Sequence, residues 1–348
     1  MNLDEHGLIY VSAMKFIFLR IRLLVAAISL LQYGSLVANE QAMIEKNISK
    51  VKIPRIVGEY VNIYRPNGDV FPGPSMGELV ACQRYEEWVP NDHCFVKDPS
   101  GRWHAFGITH PRTDLKQVHL GECLSFHALA PQGSLKETLK VGAWKDLPKV
   151  LPPSERPGER MEFYAPYTIR RDGLYLMIYG PAPIRYAVSK DLLTWTPKGT
   201  LENVPPGRDP NVLFYDGTYF LIVCGKDEVN GVTSLDFQHW KPHGSILTMR
   251  PGVDPESPTL IRFNGTFYLF VCAWERSLMR DVKNLQERYQ HITYVYQSDN
   301  PLKFDLHRQL TIINAHAPEI IQDEQGDWYI SSVEWPCRGV SLARLVWE

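Results

Sequence analysis

Hydrophobic residues in this chain occur in short runs that come in pairs around a turn. Each pair has an apolar run, a turn containing glycine, and a second run that begins with an aromatic residue. Short apolar runs on both sides of an Asx-Gly turn are typical of β-hairpins. Five such hairpins can be read along the chain, and their turn glycines are Gly101, Gly173, Gly217, Gly265 and Gly326.

The spacing of these hairpins predicts a repeat architecture. Subtraction of the glycine numbers gives irregular intervals of 72, 44, 48 and 61 residues, of which the middle two match the roughly 40–50 residues of a β-propeller blade. Residues 184–199 and 230–244 match each other as two further strands, residues 292–304 form a looser copy, and the one short helix is expected near Met279–Tyr289. The sequence therefore predicts an all-β fold, a five-bladed β-propeller. A β-sandwich is the alternative, but it does not explain the repeated hairpins.

The two ends of the folded region are expected to meet. The segment "RGVSLARLVWE" at residues 338–348 is one more strand. We predict that it lies beside residues from about Ile53 to Tyr64 and so removes a free sheet edge.

The N-terminus has the pattern of a secretory signal peptide. Basic residues precede an apolar run at Leu23–Leu31, and small residues follow it. We assign residues 1–40 to the signal, with Met14 as an alternative start, and residues 41–348 to a single catalytic propeller domain. The apolar run is short for a membrane span, which needs about 20 residues, so the prediction is a secreted or periplasmic protein without stable membrane insertion after cleavage. An uncleaved membrane anchor is the alternative.

Composition narrows the class of protein. The formal charge is −2, with 44% hydrophobic and 22% charged residues, as in ordinary globular proteins. This near-neutral balance gives no reason to expect a nucleic-acid partner, which would favour a basic patch. Six cysteines have no zinc-binding spacing. Cys224 and Cys272 end apolar runs and are predicted to be buried free thiols.

Acidic residues stand just before the first strand of each hairpin. In a propeller these innermost strands begin near the central axis, so residues there converge. The carboxylates are Asp92, Glu162, Asp209, Glu256 and Glu319, with His316 close by in the fifth repeat. Converging carboxylates repel one another, which folding alone does not favour, but they suit hydrolysis of a glycosidic bond, which needs a general acid and a second carboxylate.

Three of these acidic segments resemble motifs of known enzymes. "PNDHCFVKD", "GRDPNVLF" and "ESPTLIRFNGTFYLFV" are similar to the motifs of the five-bladed propeller glycosidases, glycoside hydrolase families 43, 32, 62, 68 and 117, and are closest to family 43. The "SKDLLTW" run at Ser189–Trp195 resembles their blade-closing strand. The resemblance extends from about Val89 to Trp347.

The resemblance implies a role for each matching residue. Asp92 would be the general base as in family 43, or the nucleophile as in family 32. Asp209 would tune the acid and stabilise the transition state, Arg208 would contact sugar hydroxyls, and Glu256 would be the general acid. His316 lies where family 43 members place a histidine near an axial ion, commonly calcium. The chemistry itself would require no cofactor.

The chain also departs from the family pattern. His93 follows Asp92 where proline is usual, Tyr167 stands where family 43 has an acid, and Glu319 adds a carboxylate in the fifth repeat. The further predicted substrate contacts are His93, Glu319 and four aromatic residues that could line a sugar subsite, Trp88, Phe163, Trp274 and Trp335. The long segment Leu115–Pro157 is predicted to cap one side of the pocket.

The sequence thus favours an exported glycoside hydrolase acting on plant or algal glycans, inverting, with arabinofuranosidase- or xylosidase-like specificity. One alternative is a retaining β-fructofuranosidase-type hydrolase with Asp92 as nucleophile. Another, from a different class, is a carbohydrate-binding propeller without catalysis. The partner in each case is a carbohydrate, and the oligomeric state stays open.

Overall fold

Five four-stranded antiparallel sheets make up the folded part of the chain. The computed structural model describes residues 51–66, 88–111, 122–279, 290–334 and 338–348. Within them, Ile53–Glu348 forms one unit. The sheets are arranged as a five-bladed β-propeller, which confirms the fold prediction.

Each of the first four blades is a meander whose innermost strand comes first in the chain. Blade one contains β2 (Trp88–Lys97), β3 (Trp103–Pro111), β4 (Leu124–Leu129) and β5 (Lys145–Val150). Blade two contains β6 (Tyr164–Arg171), β7 (Leu174–Gly180), β8 (Arg185–Ser189) and β9 (Thr196–Thr200). Blade three contains β10 (Arg208–Tyr215), β11 (Thr218–Cys224), β12 (Glu228–Ser234) and β13 (Lys241–Thr248). Blade four contains β14 (Val253–Phe263), β15 (Thr266–Glu275), β16 (Thr293–Ser298) and β17 (Gln309–Ile313).

Blade five closes the ring with both ends of the domain. It contains β18 (Ile320–Gln322), β19 (Trp328–Glu334), β20 (Gly339–Trp347) and, as its outer strand, β1 (Pro54–Tyr64). Pro54 pairs with Trp347 and Tyr64 with Val340, as predicted. A free outer edge on β20 is therefore covered by the chain's own N-terminal strand.

The hairpin turns follow directly from their residues. Asp172, Asp216 and Asn264 have φ of 49°, 49° and 47°, and the glycine after each also has positive φ. Two successive left-handed residues form the type I′ turn, whose twist matches that of the flanking strands.

The turns of blades one and five are longer and share another device. The Oδ1 atom of Asp98 accepts hydrogen bonds from the backbone of Ser100 and Arg102. Asp323 does the same for Gln325 and Asp327. An aspartate that binds the backbone ahead of it holds a turn without help from the rest of the fold.

The hydrophobic core is divided among the blades. Five clusters of buried side chains each lie between two neighbouring blades. Cys224 and Cys272 are buried and free, as predicted, and so are Cys94 and Cys123. The large apolar side chains therefore pack between sheets, whereas the cavity at the axis is lined by small or polar residues.

Helical structure is confined to three short 3₁₀ turns in the described residues, Pro153–Glu155, Arg276–Met279 and Leu306–Arg308. The helix expected near Met279–Tyr289 falls mostly outside the described part. No helix in the described ranges is long and apolar enough to cross a membrane. The described part of the predicted capping segment, residues 122–157, contains β4, β5 and the turn at Pro153–Glu155, so two strands of it belong to blade one.

Candidate active site

A repeated kink positions the polar residues at the axis. In blades two, three and four, the pairing of the innermost strand with its neighbour slips by one residue at an Xaa-Pro pair. Ala165, Asp209 and Ser257 occupy the position before proline, with φ of 42°, 54° and 41°. Left-handed backbone costs a non-glycine residue roughly 1–2 kcal/mol. Its recurrence at one place in three blades indicates that it re-aims side chains towards the axis.

The kink also shows which residues are equivalent between blades. Arg208 and Glu256 occupy the same position, directly before the slip, and Asp209 matches Ser257. In blade one the slip lies between Pro90 and His93 and includes Asp92. The carboxylates therefore occupy neighbouring positions and not the same position in each blade. They also lie within β2, β10 and β14, which corrects the expectation that they stand just before the first strand of each hairpin.

Asp92, Asp209 and Glu256 are brought together in one hydrogen-bonded network. The Ser257 hydroxyl donates to Asp92 Oδ1, and the Ser257 backbone N–H donates to Asp209 Oδ2 at 3.1 Å. Arg208 donates through Nη1 to Asp209 and through Nη2 to Glu256 Oε1 at 3.1 Å. One serine and one arginine thus link all three predicted catalytic carboxylates.

Asp209 and Glu256 differ in exposure. Asp209 is 3% exposed and accepts from both Arg208 and Ser257. The Glu256 side chain is 24% exposed, and no described residue donates a hydrogen bond to its Oε2. A group that exchanges a proton with substrate must be reachable. Glu256 meets that condition, whereas Asp209 lies behind it.

Burial governs the proton affinities at the site. Burial raises the pKa of Asp92 to about 6, although the Ser257 hydroxyl lowers it and the charge of Glu256 raises it. Burial likewise raises the pKa of Asp209 to about 6 against the lowering effect of Arg208. The pKa of Glu256 is raised by burial, opposed by Arg208 and assisted by Asp209. The charges of Asp209 and Glu256 hold the pKa of Arg208 above its usual value despite burial.

A small cavity on the axis is lined in part by this network. It has a volume of about 10 Å³, and Asp92, His93, Asp209 and Glu319 are among its lining residues. Such a volume holds about one water molecule and no sugar ring. His93 bonds Ser331 Oγ at 2.8 Å, and burial lowers its pKa to about 4. Burial and then Asp92 raise the pKa of Glu319. The prediction of His93 as a substrate contact is corrected, because its ring is buried. Glu319 is partly exposed and lines the cavity beside Asp92, so its role as a substrate contact stays a prediction.

The predicted aromatic contacts have separate outcomes. Phe163 is 0% exposed and stacks on Tyr179 at 4.7 Å between ring centroids, and Trp88 is 4% exposed under the Lys149 ammonium. Neither ring has a free face for a sugar, so the prediction is wrong for both. Trp274 is partly exposed at the end of β15, and Trp335 lies outside the described residues.

Two acidic residues differ from the sequence prediction, one that was predicted at the site and one that was not. Glu162 pairs with Arg160 at 2.8 Å and does not join the network. Glu122, which the sequence did not single out, lies two residues before β4 and is partly buried. Burial and then the charge of Asp92 raise its pKa to about 8, and Asp209 and Glu256 act in the same direction. The available sequence signal was its position before a strand that begins at the same end of the blade as Asp92.

His316 lies in the wall of the axis close to Glu256. Its ring Nδ1 bonds the Gln290 carbonyl at 2.8 Å, and burial lowers its pKa to about 3. Ligand atoms of Glu256, Cys272 and His316 lie within 4.8 Å of one another. Burial raises the pKa of Cys272, so it is a neutral thiol. Calcium takes 6–8 oxygen ligands, and this group supplies a single carboxylate, so these residues do not fit a calcium ion held by the protein.

Known structures share this architecture. A family-43 β-xylosidase/α-arabinofuranosidase from a compost microbial metagenome, described as calcium-free and in complex with xylotriose, has a TM-score of 0.53 at 13% identity, over 85% of this chain and 95% of that one. An exo-1,5-α-L-arabinanase from a bovine ruminal metagenomic library has a TM-score of 0.52 at 16% identity, over 74% and 92%. A sucrose-6-phosphate hydrolase from Lactobacillus gasseri has a TM-score of 0.54 at 16% identity, over 75% and 60%.

The chain has the fold of the five-bladed propeller glycosidases. No family model matches the chain, and no curated protein matches it. The match to solved structures therefore rests on three-dimensional arrangement at low sequence identity. It confirms the fold that the acidic motifs implied, while the activity is argued below from the network at the axis.

Proposed function

We propose that the protein is a glycoside hydrolase that cleaves neutral glycans, with arabinofuranosides or xylosides as the first substrates to test. The observation that carries this proposal is the network in which Ser257 and Arg208 join Asp92, Asp209 and Glu256 at the axis of this fold. Structural neighbours with arabinanase and xylosidase activity support the choice of sugars.

The proposed roles follow from exposure and hydrogen bonding. Glu256 is the general acid because it is partly exposed, has a raised pKa, and no described residue donates a hydrogen bond to its Oε2. Asp92 is the general base because the Ser257 hydroxyl stabilises its ionised form. Asp209 is buried against Arg208 and tunes the acid. In a single displacement, Asp92 takes a proton from water, the water oxygen bonds to the anomeric carbon, and Glu256 protonates the departing oxygen.

The test compares two substrates that differ in their leaving group. 4-Nitrophenyl α-L-arabinofuranoside and β-D-xylopyranoside release a good leaving group, whereas arabino- and xylo-oligosaccharides release a poor one. Asp92→Asn should lose most activity on both kinds, by roughly 10²–10⁴-fold. Glu256→Gln should lose much more on oligosaccharides than on nitrophenyl glycosides, because only poor leaving groups need the proton.

Glu162→Gln is the matched control, since Glu162 is paired with Arg160 and lies outside the network. Its activity should equal that of the unmodified protein. Full activity of Asp92→Asn or Glu256→Gln, with circular dichroism showing a folded protein, would sink the assignment. Glycan binding without any turnover, unchanged by Glu256→Gln, would instead support a binding propeller.

A retaining reaction with Asp92 as nucleophile is a second candidate, favoured by the Arg208-Asp209-Pro210 run and by the similarity to a sucrose-6-phosphate hydrolase. Proton NMR of the first-formed anomer distinguishes the two. Inversion supports the single displacement, and retention on a fructoside supports the second candidate.

We also propose that the enzyme is exported, on the strength of the basic and apolar pattern in residues 1–40. Expression of the full chain with N-terminal sequencing of the product tests this. A mature end near residue 40 in the periplasm or medium supports export, and an intact N-terminus in the cytoplasm refutes it.

A further inference from the structure

A thiol, an imidazole and a carboxylate from two blades meet in the wall of the axis. Cys272 lies on β15, where its Cα pairs with that of Glu256 on β14, and His316 precedes β18 of blade five. Cys272 Sγ is 3.5 Å from His316 Nδ1, and ligand atoms of all three residues lie within 4.8 Å of one another. Cys272 and His316 are 0% and 2% exposed, whereas the Glu256 side chain is 24% exposed. The group is therefore enclosed by protein at two members and reachable through the third.

A backbone carbonyl sets the state of the His316 ring. His316 Nδ1 lies 2.8 Å from the Gln290 carbonyl, which can only accept a hydrogen bond, so Nδ1 carries the proton of the neutral ring. The ring lone pair is then on Nε2, and a histidine that donates its other N–H to a carbonyl is the usual arrangement of a metal ligand. The His316 backbone N–H donates to Ser332 Oγ at 3.1 Å. Both bonds orient the imidazole before any ion binds.

The donor set selects the kind of ion. Thiolate, imidazole and carboxylate are the ligands of zinc, and three protein ligands with water in the fourth position form a common zinc site. Bond lengths of about 2.0–2.3 Å place tetrahedral ligand atoms about 3.3–3.8 Å apart. The three residues therefore need to close by about 1 Å from their limit of 4.8 Å, which the partly exposed Glu256 side chain can supply. On binding, the metal replaces the thiol proton of Cys272, and this proton passes to solvent.

Blade three contains a matched comparison for Cys272. Cys224 pairs with Arg208 between β10 and β11, as Cys272 pairs with Glu256 in blade four, and both cysteines are buried and free. The residue opposite Cys224 is thus a guanidinium, which repels a cation and cannot act as a ligand. The two thiols match in burial and register, but one of them has a carboxylate opposite and the other has a positive charge.

We propose that Cys272, His316 and Glu256 form a site for a thiophilic divalent cation, with Zn²⁺ as the ion, and that its binding inhibits the enzyme. Arg208 donates to Glu256 Oε1 at 3.1 Å, so Oε2 is the oxygen that we assign to the ion. A Glu256 carboxylate bound to metal stays ionised and cannot protonate the departing oxygen. The inhibition rests on the proposed glycosidase function, whereas the binding of the ion does not.

Cobalt(II) tests the sulfur ligand without turnover, because a bond between cysteine sulfur and Co²⁺ produces a charge-transfer band in the near ultraviolet. Titration of the full chain with Co²⁺ should give this band, and Zn²⁺ should displace the cobalt. In Cys272→Ser the band should be lost, and calorimetry should show Zn²⁺ binding weakened by more than about 100-fold, since loss of a residue that only orients a ligand costs about 10–100-fold. Cys224→Ser is the matched control and should behave as the unmodified protein.

The same titrations contain the results that would overturn the site. They are a band of equal intensity in Cys272→Ser and the unmodified protein, and absence of the band from the unmodified protein. Circular dichroism checks that each variant is folded. If Cys272→Ser does not fold, Cys272→Ala and His316→Gln test the same two ligands, and each should lose the tight Zn²⁺ binding.

The inhibition is measured on arabino- or xylo-oligosaccharides, whose poor leaving groups need the proton from Glu256. Zn²⁺ should inhibit the unmodified protein and Cys224→Ser, and a chelator should restore the rate, whereas Cys272→Ser should resist Zn²⁺ relative to its own rate without metal. Equal inhibition of Cys272→Ser, or tight Zn²⁺ binding without inhibition, overturns the inhibitory role. If no glycoside is hydrolysed, the proposed function fails, while the cobalt band and calorimetry still decide whether the metal site exists.

Discussion

Replacement of Asp209 by asparagine tests whether its charge sets the proton affinity of the proposed acid. Arg208 reaches Asp209 through Nη1 and Glu256 through Nη2, so the two carboxylates flank one guanidinium. For two charges separated by about 6 Å, Coulomb's law with an effective dielectric constant of about 20 gives an interaction of about 3 kcal/mol. That energy corresponds to about two pKa units. Partial compensation by Arg208 reduces the expected shift to about one to two units.

The direction of the shift is fixed by the sign of the charge. Without the Asp209 charge, ionised Glu256 is repelled less and Arg208 has one partner fewer, so the pKa of Glu256 falls. Glu256 must be protonated to act, so the alkaline limb of kcat moves to lower pH. Asp92 also loses a negative neighbour, and the acidic limb, which requires ionised Asp92, moves the same way.

The assay is the pH dependence of kcat on a nitrophenyl glycoside, because kcat reports groups in the substrate complex. Asparagine tolerates the left-handed backbone at φ 54°, so the kink should persist, and thermal melting checks this. Asp216→Asn is the matched control, since it makes the same change in an exposed turn at the other end of the same strand. If kcat falls but both limbs of its pH profile stay at the same pH, the electrostatic role of Asp209 is refuted.

Two further changes test the surroundings of Asp92. Ser257→Ala removes the hydroxyl that favours ionised Asp92, so the acidic limb of the kcat profile should move up by about one pH unit while the alkaline limb stays. The variant should fold, because alanine already occupies the matching left-handed position at Ala165. An unmoved acidic limb in the folded variant would contradict Asp92 as the base. Gly107→Ala places a methyl group 2.5 Å from Phe126 and 2.6 Å from His93. Such overpacking should lower the free energy of unfolding by about 1–3 kcal/mol, measured by urea titration. An unchanged midpoint would show that Phe126 and His93 can shift to make room for the methyl group.

The sequence predicted much of the fold because its signals are local. The Asx-Gly pairs determine type I′ turns within a few residues. The outer repeats are equally local: Asp191 accepts hydrogen bonds from the backbone of Leu193 and Thr194, and Asp236 does so for Gln238 and His239. Similar short sequences therefore form similar turns in different blades.

The candidate site was predicted only in part. Asp92, Asp209 and Glu256 converge as expected. The sequence did not show which positions of the innermost strands are equivalent between blades, since that depends on where the pairing of each strand slips at its kink. Phe163 and Trp88 show the same limit for aromatic residues. The pattern marks them as apolar, but only the packing of neighbouring blades decides that both faces of each ring are covered.

By itself, the sequence determined the strands and their turns, because backbone preference and side-chain alternation act over a few residues. It predicted the closure of the ring for another reason, since a strand at each end of the domain would otherwise leave a free sheet edge. Only the tertiary structure decided that Ser257 would reach Asp92 across 165 positions of sequence and that Arg208 would bridge two carboxylates. Those contacts depend on how five sheets pack around one axis. Burial there raises the proton affinity of every carboxyl group, so the chemistry of the site is a property of the assembled ring.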